Sequence, residues 1–150
     1  MESPTPASRI PAPIQSARGL LVAVAISHLV VPAVMAAKPD ALRAQIAARH
    51  PGFPAAEVAR SADIAVASGA VFHGVLLVLC ALLAWKLATG RPWTRRLATV
   101  SQLLSVVFSA VSWSTSPMFH AVIPAVGAAQ ILLVALLWAP RTARDFFAGR

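Results

Sequence analysis

Few residues in this chain can do chemistry, and histidine leads them. The sequence holds 4 histidines, 1 cysteine and no tyrosine. His28 is the midpoint of a 19-residue run, Gly19 to Ala37, that lacks Asp, Glu, Lys and Arg. His73 lies near the middle of a second such run of 22 residues, Ile64 to Trp85. At helical rise the offset between their depths is roughly 2–3 Å. Two level imidazoles on consecutive antiparallel helices suit a transmembrane b-type haem, each giving one axial ligand, as in an electron carrier. Gly69 and Gly74 would leave room beside His73 for the macrocycle. The alternative is structural, because histidines inside a bundle are also satisfied by a serine or a carbonyl. His120 has no partner at its own depth.

Serine supplies the second pattern. Ser101, Ser105, Ser109, Ser112 and Ser116 recur at steps of 4, 4, 3 and 4. At 3.6 residues per turn they share an arc of about 80°. Leu103, Val107, Ala110 and Val111 lie opposite. A similar stripe, Gly69, His73, Leu77, Cys80 and Ala84, runs down the helix before it. Small residues let helices approach, and serine hydroxyls bond across them for about 0.6–2 kcal/mol each. Gly69, Cys80, Ala84 and the five serines therefore read as helix-packing positions. The functional alternative is a polar path lined by the serines, His28 and His73, with Gln102 and Gln130 near its inner half.

The list of missing chemistry is longer. Cys80 stands alone, with no CxxC and no partner for an intramolecular disulfide. There is no Gly-rich phosphate loop, nucleophile elbow, HExxH or carboxylate pair, so neither a catalytic site nor a metal centre is expected. The absence of acids from the apolar runs weakens any carboxylate-based proton pump or ion-coupled transporter.

The elements that must position these residues follow from composition. Hydrophobic residues make up 58% of the chain and charged residues 12%, with a mean hydropathy of +0.73. A soluble domain this small leaves about 40% of its unfolded surface wet, and 18 charges cannot cover that. The chain is read as an integral membrane protein. A bilayer core of about 30 Å needs roughly 20 helical residues, so each of the two runs above is one span. A third run, Leu97 to Pro140, holds 44 residues and makes two spans. Ser116 would cap the last helix, with Pro117 in its first position. The expected fold is an all-α, four-transmembrane-helix bundle with spans at 18–37, 62–87, 94–115 and 117–139. Pro32 and Pro124 are expected to kink their spans.

Charge sets the orientation. With the N-terminus inside, the inner segments hold nine bases and two acids, and the outer loop four bases and three acids. That bias puts both termini in the cytoplasm. Trp85, Trp93 and Trp138 agree at the inner interface, with Trp113 at the outer one. The net charge of +8 then belongs to the membrane: Lys86, Arg91, Arg95, Arg96, Arg141 and Arg144 lie at lipid-headgroup depth, each contributing about 1 kcal/mol there. No basic stripe with interleaved aromatics points to nucleic acid. Small residues at Met35-Ala36-Ala37 also fit a secretory signal. The 19-residue run is longer than a usual signal core and carries His28, so an uncleaved span is expected.

Outside the spans, residues 1–17 read as a disordered Pro-rich cytoplasmic tail, too poor in apolar surface to offset ordering. Residues 140–150 read as a basic cytoplasmic tail. The outer loop, 38–61, reads as a short amphipathic helix begun by Pro39 and Asp40 and stopped by Pro51-Gly52. From Phe53-Pro54 a second helix is expected to run on into the next span.

His50-Pro51-Gly52-Phe53-Pro54-Ala55-Ala56-Glu57-Val58 is similar to the "NPGLSAEEL" segment of a set of uncharacterised, small actinobacterial membrane proteins. Gly90-Arg91-Pro92-Trp93-Thr94-Arg95-Arg96-Leu97 resembles their "GRNWARxxL" inner loop. The resemblance is strongest from about residue 38 to 100. Pro54, Pro92 and Thr94 depart from the usual Ser, Asn and Ala. It implies four helices and a Pro-rich N-terminal tail, and carries no activity with it. Eleven Arg against two Lys also fit a GC-rich bacterial genome and a plasma-membrane location. The reading of function that follows is a non-enzymatic accessory or scaffolding subunit, packing laterally with itself or a larger membrane complex. The haem-binding electron carrier is the alternative, and a small transporter with a serine-lined path the third.

Overall fold

The computed structural model describes residues 10–149, all of whose regular elements are helical. Proline sets most of the starts, since its fixed φ and missing N–H are harmless in a first turn. α1 (Ala12–Ala37) has Pro13 in its first turn, while α2 (Pro39–Arg49) and α4 (Pro92–Thr115) begin on proline. α3 (Ala55–Lys86) follows Pro54, and α6 (Arg141–Ala148) follows Pro140. A 3-10 turn, Leu87–Thr89, ends α3, and Gly90 reverses the chain at φ 69°, a left-handed conformation that a Cβ would strain. α5 spans Val122–Trp138.

Several boundaries differ from expectation, each for a physical reason. The tail reading fails from Ala12 onward. Ile14 and Ala17 are fully buried and extend the inward stripe Leu21, Val24, Ala25 and His28 at helical spacing. Residues 1–9 lie outside the described residues, as does Arg150. Ser116 makes no side-chain cap, and Pro117–Phe119 form a 3-10 turn rather than the start of a helix. Because α5 starts at Val122, Pro124 falls in its first turn, where a missing N–H breaks no bond. Pro32 does lie inside α1, which continues through it to Ala37. It has no N–H to give the carbonyl of His28, four residues back. The basic tail is helical as α6, with Ala143 and Phe147 buried.

α1, α3 with its 3-10 turn, and α4 are each long and apolar enough to cross a membrane. α5 and α6 qualify together as a pair bent by 64°. The faces turned outward are apolar: Val71 is 70% exposed, Val75 64% and Val111 61%. Lipid, not water, is the natural solvent for such surfaces.

Packing is uneven along the molecule. α1 lies against α3 and α5, α4 against α5, and α2 against α3. The core joins the first half of α1 (Ile14, Leu21) to the last turns of α3 (Cys80, Leu83) and to Ala98 of α4. Leu133 and Leu137 of α5 and Phe147 of α6 complete it. All of these lie toward one end, the end that carries Arg18, Lys86, Arg95 and Arg141. Past His28 of α1 and Gln102 of α4 no described residue of either helix is buried. A cavity lies in that half, lined by residues of α1, α3, α4 and α5.

Candidate functional site

The cavity has a volume of about 280 Å³, just below the ~300 Å³ at which small-molecule pockets commonly begin. Its polar lining is Ser27 and His28 from α1, His73 from α3, and Ser105, Ser109, Ser112 and Ser116 from α4. Val122, Ile123 and Val126 of α5 close it with an apolar wall. One face of α4 supplies four serines because steps of 4, 3 and 4 hold them in register over three turns.

The two histidines meet. Nδ1 of His28 and Nδ1 of His73 are 3.0 Å apart, and the ring centroids 5.2 Å. One Nδ1 must donate and the other accept, so the neutral rings are opposite tautomers. Phe72 stands edge-on to His73 at 5.5 Å and to Phe108 of α4 at 6.4 Å, screening the pair on the α3–α4 side. A haem does not fit this arrangement: its ligands must stand on opposite sides of a macrocycle, and these nitrogens face each other in hydrogen-bond contact. Gly69 lines the cavity, but a Cβ there would meet only Met35, at 3.6 Å from Sδ. One at Gly74 would meet nothing within 4 Å.

Two glutamines lie toward the basic end of the molecule, outside the residues that line the cavity, and one of them bonds the lining Ser105. Gln130 Nε2 donates to Ser105 Oγ at 2.7 Å. Gln102 Nε2 lies 3.4 Å from Ser101 Oγ and 3.8 Å from Cys80 Sγ. Both glutamines are buried, and Oε1 of each has no hydrogen-bond partner among the described residues. Below them the apolar core blocks the way. The arrangement is a closed-ended chamber, not a pore through the molecule.

The other candidates fall in different places. Cys80 and Ala84 are buried against the core, as packing residues would be. Ser101 bonds the Ala98 carbonyl at 2.9 Å within its own helix. His120 stands apart from the chamber, stacked on Trp113 at 4.2 Å and donating from Nε2 to the Trp113 carbonyl at 2.7 Å. Arg91, Arg96, Arg141 and Arg144 are exposed at the basic end, and Lys86 lies over Trp85. Arg95 differs from them. Its guanidinium sits over Trp138 at 3.8 Å and Phe147 at 5.3 Å, turned to aromatic faces rather than to headgroups.

Sequence reasoning missed two residues of this region. Met35 lines the chamber beside Gly69, and Arg18 donates from Nε to the Ala84 carbonyl at 2.7 Å, satisfying a carbonyl near the end of α3. Met35 stands at the i+7 position from His28, which places both on one helix face and was the available signal. No family model, no curated protein and no solved structure matches the chain.

Proposed function

We propose that this is a four-span bacterial plasma-membrane protein, with both termini cytoplasmic, whose chamber binds a small polar or singly charged ligand entering from the outer side. It is a carrier or ligand-binding subunit, allied with the small actinobacterial membrane proteins that two of its loops resemble. One observation carries the reading: His28, His73 and four serines of α4 line a single cavity. Polar groups at membrane depth are expensive and mark functional sites when they converge on a cavity. Gln130, bonded through Nε2 to the lining Ser105, continues the polar surface behind the chamber. The lateral-scaffold reading rested on small-residue stripes, and most of these turn inward: Ser105, Ser109, Ser112 and Ser116 to the chamber, Cys80 and Ala84 to the core.

Thiol accessibility tests this. In a Cys80→Ala background, single cysteines replace Ser105, Ser109, Ser112 and Ser116 on the chamber face and Val107 and Val111 on the lipid face. An impermeant thiol reagent applied outside whole cells should label Ser116→Cys and Ser112→Cys fastest and Ser105→Cys slowest. Val107→Cys and Val111→Cys should stay unlabelled. Equal labelling on both faces, or labelling only in inverted vesicles, contradicts the proposal.

A further inference from the structure

The spacing that lets two histidines share a proton is also close to the spacing of a metal chelate. Their Nδ1 atoms are 3.0 Å apart. With metal–nitrogen bonds of about 2.0 Å, two imidazoles on one tetrahedral or trigonal ion stand about 3.3–3.5 Å apart. A few tenths of an ångström therefore separate the hydrogen-bonded pair from a bidentate site.

Charge then narrows the choice of ion. No Asp or Glu lines the chamber, so a dication there would be held by neutral ligands in a lipid-surrounded site. Ionic desolvation scales with the square of the charge, which makes a dication about four times as costly to bury as a monocation. Softness narrows it further. Met35 lines the same chamber, with Sδ beside Gly69, one helical turn from His73. The missing side chain at Gly69 leaves the thioether its place in the chamber, and the proposed site requires this flexible side chain to swing from Gly69 to the histidine pair. Two imidazoles and a thioether around a soft, singly charged ion are copper(I) chemistry.

We propose that His28, His73 and Met35 form a Cu(I) site in the chamber. The inference rests on the chamber reading above and names its ligand. Binding releases no proton. In the free pair one ring carries its proton on Nδ1 and the other on Nε2. In the loaded site both carry it on Nε2, so one ring moves its proton from Nδ1 to Nε2. Both Nδ1 lone pairs then go to the metal, and the site has a net charge of +1.

The test uses the full-length protein in detergent under oxygen-free conditions, titrated with Cu(I) from a coloured chelator and, in parallel, with Zn²⁺. One Cu(I) per chain should bind, and excess Zn²⁺ should not displace it. His28→Ala and His73→Ala should each abolish stoichiometric uptake. Met35→Leu, which keeps volume and apolarity and guards against mere misfolding, should weaken uptake at least about tenfold. Cys80→Ser and His120→Ala should bind as the parent does. No uptake by the parent, preference for Zn²⁺, or unchanged uptake in both His28→Ala and Met35→Leu overturns the site. Thiol labelling separates the two levels of failure. If Ser112→Cys and Ser116→Cys label from outside while Cu(I) does not bind, the metal assignment falls and the chamber stands. If they do not label, the chamber reading is what fails.

Discussion

Phe147→Ala is expected to lower stability by about 3–5 kcal/mol, the scale for emptying a buried aromatic site. Phe147 is 1% exposed and belongs to the same core as Ile14, Leu87 and Leu137. It fastens α6 to the basic end of the molecule although α6 has only eight residues. The loss is more than volume. Nε and Nη1 of Arg95 are buried with no hydrogen-bond partner among the described residues, so the charge is held by the faces of Trp138 and Phe147. Removing one ring exposes that guanidinium on one side. Phe146→Ala, at a half-buried neighbour, should cost less than about 2 kcal/mol by the same area argument. Reversible unfolding in mixed micelles measures both. A change within about 0.5 kcal/mol for Phe147→Ala, the range of ordinary surface substitutions, would mean that α6 does not dock.

The second large effect is a failure of additivity. His28→Leu and His73→Leu should each destabilise by about 1–3 kcal/mol, since each leaves the partner ring with a buried polar atom unpaired. The double variant should lose less than the sum, because two apolar side chains facing each other leave nothing unsatisfied. The expected coupling is about 0.6–1.7 kcal/mol, the range for hydrogen bonds between membrane helices. Unfolding of the four proteins of this cycle under one set of conditions gives the number. Simple additivity would mean that the rings do not touch in the folded protein.

Most of the fold was legible in the gaps between charges. They located α1, α3 and α4 because burying Lys, Arg, Asp or Glu in lipid is costly enough to leave a record in composition. They could not fix where α1 begins. Residues 10–17 are rich in proline and alanine, and only the burial of Ile14 and Ala17 shows that the helix has started. The start of α5 was hidden for a related reason: Ser116-Pro117 suits a helix cap and a 3-10 turn equally well, and nothing local decides between them. The candidate site was half legible. Matched depth predicted that His28 and His73 are level, and periodicity predicted that five serines share a face, of which four line the cavity. Periodicity says which residues face inward but not what stands across from them. Tight packing and an open chamber therefore looked alike from α4 alone. What distinguishes them is the absence of buried residues beyond Gln102 among the described residues of α4, a tertiary property. Arg95 carried no signal of its own, because its partners Trp138 and Phe147 come from α5 and α6, more than 40 positions away.

The contact between the histidines is the hinge of the account, and nitrogen NMR of the metal-free protein in lipid bilayers tests it most directly. With ¹⁵N-labelled histidine, one of the two rings should be protonated at Nδ1 and the other at Nε2, with a correlation through the Nδ1–H···Nδ1 hydrogen bond that disappears in His28→Leu. Two rings both protonated at Nε2, with no correlation between their Nδ1 atoms, would contradict the pairing and with it the chamber as described.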